Sequence, residues 1–160
     1  MYDENVPQAK ELDDPLALER QVCFALSVAA RSVLAVYRPL LEPMGLTHPQ
    51  YLVMLALWGN SPLSVKDLSG LLQLDAATLS PLVKRLEAAG LVTRTRDSAD
   101  ERLLKIELTE AGARLRADAE RIPPAVVAKL GIDIAELQQL HGALTNLIAA
   151  ARAAGVEEIR

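Results

Sequence analysis

Cys23 is the one cysteine of the chain. A thiolate attacks peroxides, becomes a sulfenic acid, and then condenses with another thiol. One cysteine forms no internal disulfide, so a disulfide scaffold is excluded. Packing as a small buried hydrophobe is the competing use of such a residue. The two histidines, His48 and His141, lack metal-ligand spacing, and no nucleophile–base triad stands out. No metal, no cofactor and no enzymatic turnover are therefore expected. A second chemistry lies further on. Lys84, Arg85, Arg94, Arg96, Arg102 and Lys105 outnumber Glu87, Asp97, Asp100 and Glu101, a local basic excess suited to a phosphate backbone. The whole-chain net charge of -4 conceals it. Residues 1–19 hold six acids (Asp3, Glu4, Glu11, Asp13, Asp14, Glu19) against Lys10, and without them 16 basic residues face 15 acidic ones.

The elements that must position these residues follow from periodicity. Residues 1–13 show none and read as a flexible acidic arm. Asp14-Pro15 carries a helix-start signal, an acidic cap followed by proline at the first helical position. Val22, Leu26, Ala29, Ala30, Val33, Val36 and Tyr37 then recur at helical spacing to about Leu41, where Pro43 and Gly45 end the run. This start places Cys23 about two turns into its helix, too deep to gain much from the helix N-terminus. Arg20, one turn earlier, is a candidate local cation. Thr47 and Gln50 form a capping box for a helix to about Trp58. Ser64 with Asp67 caps a short helix to about Leu72, and Asp75 caps the next. Leu79, Leu82, Val83 and Leu86 mark that helix's inner face, and Gly90 ends it.

After Gly90 the period changes. Residues 91–96 and 103–108 alternate as two strands, joined by the charged loop 97–102. Thr109 caps a helix to about Arg121. Pro123-Pro124 breaks it, Gly131 interrupts again, and a last helix runs from Asp133 to about Ala153. Helix, tight turn, helix and two-stranded wing make a compact DNA reader. On the reading helix, Ala76, Ala77, Thr78, Ser80, Pro81, Lys84 and Arg85 face outward. Small residues at its start admit close approach to base edges, Thr78 and Ser80 can bond bases or phosphates, and Lys84 and Arg85 suit phosphates. In the wing, Arg94 and Arg96 add charge. Arg102 suits a minor groove, with Asp100 and Glu101 placed to pair with it. A solvated surface helix and hairpin are the competing reading. No apolar run reaches membrane-spanning length, and the N-terminus is acidic where a signal peptide would be basic, so a cytoplasmic protein is expected.

The pattern Asp97-x-x-Asp100-Glu101-Arg102, followed by Leu108-Thr109-x-x-Gly112, resembles the wing and following helix of the MarR family. The resemblance covers nearly all of the chain after residue 15. Residues 18–24, 37–41, 47–51 and 74–86 are similar to segments of its organic-hydroperoxide repressors, the OhrR group. It implies a mainly α fold with a small β-wing. A single domain would span residues 14–160, with the winged helix-turn-helix at about 46–109 and dimerisation helices at about 14–42 and 110–154. It also implies a homodimeric repressor on palindromic double-stranded operator DNA, released when an organic hydroperoxide oxidises the cysteine. The group places two tyrosines from the other subunit near the sulfur. Tyr37 matches one, and His48 stands in place of the other. With no second cysteine, the chain resembles the single-cysteine type, in which a small thiol forms a mixed disulfide. Tyr37 lies 14 residues beyond Cys23, about 21 Å along a straight helix, so any contact between them requires another chain. Leu137, Leu140, Leu144, Leu147 and Ile148 give the last helix an apolar stripe for a dimer interface or for its own core. The alternative function is a MarR-type repressor released by a noncovalent aromatic or phenolic ligand, with Cys23 structural.

Overall fold

A computed structural model of the chain describes residues 15–100 and 102–155. The acidic arm, the Asp14 cap and the pairing of Glu101 with Arg102 lie outside the described residues. The chain divides into two units, residues 1–35 and 36–160.

In the first unit a 3-10 turn, Leu18–Arg20, precedes helix α1, Val22–Leu41, whose residues 22–35 belong here. The helix therefore starts at Val22 and not at Pro15. Gln21 is the cause. Its backbone is extended (φ -79°, ψ 113°), and its side-chain Nε2 donates to the Pro15 carbonyl at 2.9 Å and the Ala17 carbonyl at 3.4 Å. A side chain that occupies those acceptors favours a turn over a continuing helix. Val22, Phe24, Val28 and Leu34 are exposed. By length and composition alone, Val22–Met44 is apolar enough to cross a membrane. That corrects the expectation that no run reaches such a length: Arg31 and Arg38 interrupt it too sparsely to break it. Burial between two subunits asks for the same composition.

In the second unit, α2 (His48–Gly59), α3 (Val65–Leu72) and α4 (Ala76–Ala88) pack together and against a small sheet. The capping boxes at Thr47 and Ser64 both form, Thr47 with Gln50 and Ser64 with Asp67. The sheet has three antiparallel strands in the order β1-β3-β2: β1 (Leu63–Ser64), β2 (Val92–Arg96) and β3 (Leu104–Leu108). Register pairs Val92 with Leu108 and Arg96 with Leu104 across the wing, and Leu63 with Ile106 at the extra strand. Leu41, Met54, Leu57, Leu68, Leu79, Leu86 and Ile106 are fully buried, each contributing roughly 1.5–3 kcal/mol. Helix α5 (Glu110–Ala119) follows the wing, capped by Thr109, whose hydroxyl accepts from the Gly112 N–H at 3.0 Å.

Pro123 and Pro124 do not only break a helix. They sit in the first turn of another, α6 (Ile122–Leu130), where proline's missing N–H costs nothing. Helix α7, Ile134–Ala153, has no buried residue.

Candidate nucleic-acid interface and cysteine site

Asp75 sets the reading helix. Its Oδ1 accepts from the Thr78 N–H at 2.6 Å, and that bond holds its carboxyl below the usual carboxylate range. Gln73 takes the left-handed conformation (φ 55°) that turns the chain between α3 and α4. Leu79, Leu82, Val83 and Leu86 are buried, while Ala76, Ala77, Thr78, Ser80, Pro81, Lys84 and Arg85 are all exposed. A helix with small residues, two hydroxyls and then two cations on its open face presents base-reading groups first and phosphate-binding groups after them.

The wing is pre-ordered by its acids. Asp97 pairs with Lys105, and its Oδ1 accepts from the Ala99 N–H at 2.6 Å and the Asp100 N–H at 3.4 Å. The Lys105 bond, then the backbone bonds, lower its pKa. Asp100 Oδ1 accepts from the Arg102 backbone N–H at 3.0 Å. Asp100 therefore fixes the backbone of Arg102, where pairing with its guanidinium was expected. Arg96 and Arg102 are exposed, and among the described residues neither forms an ion pair. Arg94 differs from both. Its guanidinium turns to α4, where Nε donates to Glu87 Oε2 at 2.7 Å and the pair closes at 2.5 Å. The Arg94 bond holds the Glu87 carboxyl below its usual range. Arg94 braces the wing against the reading helix, a placement its position in the strand sequence did not disclose.

Cys23 is the second residue of α1, is exposed, and carries a free thiol. The expectation of a cysteine two turns deep is thereby corrected. First-turn N–H groups lack intrahelical acceptors, and that end of the helix favours negative charge. Ser27 Oγ donates to the Cys23 carbonyl at 2.9 Å. Arg20 belongs to the 3-10 turn before the helix.

Tyr37 and His48 meet in the second unit, whereas Cys23 belongs to the first. The Tyr37 and His48 rings stand edge to face, with centroids 4.9 Å apart at 71°. His48, in the first turn of α2, is half-buried, and burial lowers its pKa. Tyr51 joins them at 6.1 Å from Tyr37 and 6.3 Å from His48. Burial, then the neighbouring Tyr37, raises the Tyr51 pKa. Trp58 continues the row, 6.4 Å from Tyr51. Sequence reasoning missed Tyr51 and Trp58 as members of this group. The spacing of 48, 51 and 58, which keeps to one helical face, was the available signal.

The family pattern described as "MarR family" matches residues 46–104. The organic hydroperoxide resistance transcriptional regulator of Bacillus subtilis (strain 168) is 42% identical over 135 residues, covering 84% of this chain and 92% of that protein. Among solved structures, reduced AbfR bound to DNA superposes with a TM-score of 0.75 at 31% identity, over 85% of this chain and 93% of that one. CouR from Rhodococcus jostii RHA1, bound to p-coumaroyl-CoA, does so with a TM-score of 0.70 at 30% identity, over 82% of this chain and 94% of that one.

Proposed function

This chain belongs to the MarR family of DNA-binding transcriptional regulators, and we propose that it is a cytoplasmic homodimeric repressor that leaves its operator when an organic hydroperoxide oxidises Cys23. The observation that carries the reading is an exposed, free thiol in the first turn of a helix, where the helix favours its anion. The sulfur attacks the outer peroxide oxygen. An S–O bond forms as the O–O bond breaks, and the alkoxide leaves and takes a proton as the alcohol. Cys23 is oxidised to the sulfenic acid and the peroxide is reduced. A small thiol then displaces the sulfenic oxygen as water and leaves a mixed disulfide. Tyr37 and His48 of the partner subunit flank the sulfur and are displaced by the adduct. The similarity to the Bacillus regulator supports this reading.

On DNA, α4 of each subunit enters the major groove. Ala76, Ala77, Thr78, Ser80 and Pro81 approach base edges, Lys84 and Arg85 neutralise phosphates, and Arg96 and Arg102 carry the wing. Arg94 acts through Glu87 as a brace. Two reading helices must match grooves about 34 Å apart, so a small change between subunits is enough to release the operator. Cys23→Ser tests the reading. The variant should bind a palindromic operator in a salt-dependent gel shift and stay bound after hydroperoxide, while wild type dissociates with its thiol modified by mass. Dissociation of the variant on oxidation would end the sensor assignment.

A second reading has one observation in its favour. A hollow of about 280 Å³ opens beside the rings of Tyr51 and Trp58, with Leu55, Pro123 and Arg116 around it. Such a lining suits an aromatic or phenolic ligand that releases the repressor without chemistry. Release by such a ligand with Cys23 unmodified would favour this second reading.

A further inference from the structure

Within the second unit the aromatic side chains form a continuous row. It starts at the Tyr37–His48 pair, passes through Tyr51 and reaches Trp58, with successive centroids 4.9 to 6.4 Å apart. The row does not end in apolar packing. Trp58 Nε1 donates to the Gly112 carbonyl at 2.9 Å.

Gly112 is a tightly held point. A Cβ there would meet the Leu91 carbonyl oxygen at 2.0 Å, so α5 lies directly on the Leu91 peptide. The Gly112 N–H donates to Thr109 Oγ1 at 3.0 Å, and that hydroxyl donates to the Gly90 carbonyl at 2.6 Å. The Thr109 N–H donates to the Leu91 carbonyl at 3.0 Å. Gly90, at φ +75°, closes the reading helix α4, and Leu91 leads into the wing strand β2. One indole N–H thus ties the aromatic row to the joint between the two DNA-reading elements.

We infer that Trp58 is the positioning residue that transmits the state of the Tyr37–His48 pair to the α4–wing joint. The inference rests on the sensor reading proposed above. Close-packed rings shift together and do not deform independently, because interiors are dense and bistable rather than soft. Displacing Tyr37 shifts Tyr51 and Trp58, and the indole bond carries that shift to Gly112, Thr109 and Gly90. A purely stabilising bond would matter equally in both redox states; coupling requires a difference between them.

Trp58→Phe keeps a ring and removes the donor. Operator affinity is read for full-length wild type and variant, reduced and after cumene hydroperoxide with cysteine. Reduced Trp58→Phe should bind within about threefold of wild type, while its affinity loss on oxidation should be at least about tenfold smaller. Release as complete as in wild type, or an equal loss in both states, overturns the inference. Trp58 is the one tryptophan, so wild-type emission reports on it without any substitution. Its emission should shift when Cys23 is oxidised and should stay constant in Cys23→Ser. Constant emission in wild type that has released its DNA overturns the coupling even if Trp58→Phe fails to fold. Wild type that keeps its DNA with Cys23 oxidised refutes the sensor reading itself, and the coupling with it.

Discussion

The reading helix α4 and the last helix α7 both carry apolar stripes at helical spacing, yet their fates differ. Leu79, Leu82, Val83 and Leu86 of α4 are buried. In α7 the stripe Leu137, Leu140, Leu144, Leu147 and Ile148 yields no buried residue over 20 residues, and Leu140, Leu147 and Ile148 stay 53%, 44% and 46% exposed. The start of α1 resembles α7, with Val22, Phe24, Val28 and Leu34 exposed. The reader completes its core within one chain. An exposed stripe of this extent suits a surface covered by another chain, the use we propose for it. Within its own chain the stripe is covered only in part, with Leu137 and Leu144 half-buried.

Leu140→Asp with Leu147→Asp should break the comparison hardest. The reader is expected to stay folded by circular dichroism while sedimentation shows a monomer. Operator affinity should fall by about 100-fold or more, because two linked half-site contacts become one. A double variant that stays dimeric would leave the α7 stripe without its proposed use.

Next in size is a pair of glycines. Gly112→Ala drives a methyl into the Leu91 carbonyl and should cost about 3 kcal/mol, read as a lower melting temperature. Gly142, in α7, meets nothing within 4 Å. Gly142→Ala should gain about 0.5–1 kcal/mol from helix propensity. A neutral Gly112→Ala would remove the close approach of α5 to Leu91. A cost at Gly142 would show that a second chain lies tightly over that point.

What the sequence discloses follows the same division. Thr47–Gln50, Ser64–Asp67, Asp75–Thr78 and Thr109–Gly112 are contacts three residues apart, and all were readable because capping is local. The inner and outer faces of α4 were readable from period alone. The start of α1 was not, because Asp14-Pro15 supplies a good cap signal and Gln21 overrides it through its side chain. That displacement moved Cys23 from mid-helix to the first turn. Strand β1 escaped notice because two residues give no period, and only pairing with Ile106 and Lys105 makes them a strand. The Arg94–Glu87 brace and the Trp58–Gly112 bond join residues 7 and 54 apart. Tertiary packing alone brings such pairs together.

The smallest effect separates the aromatic row from the charged wing. Burial holds the His48 pKa below 6.5, so the folded chain binds that proton less readily than the unfolded one. The sign follows from linkage: stability is fully present above 6.5 and is lost as pH falls through 6.5 toward the folded value. Glu87 and Asp97 are shifted below their ordinary 4.5 and 3.8. Their contribution is present above those values and is lost only in more acidic solution. As pH falls through 6.5, His48 in the row therefore titrates while Glu87 and Asp97 do not. Tyr51 is a titratable ring against His48, and burial raises its pKa further above this range. Thermal melts of wild type should lose stability over that fall in pH by well under about 1 kcal/mol, since His48 is only half-buried and solvent screens it. His48→Gln should flatten the dependence. An unchanged slope in His48→Gln would assign the titration to a group outside the row and leave His48 as packing alone.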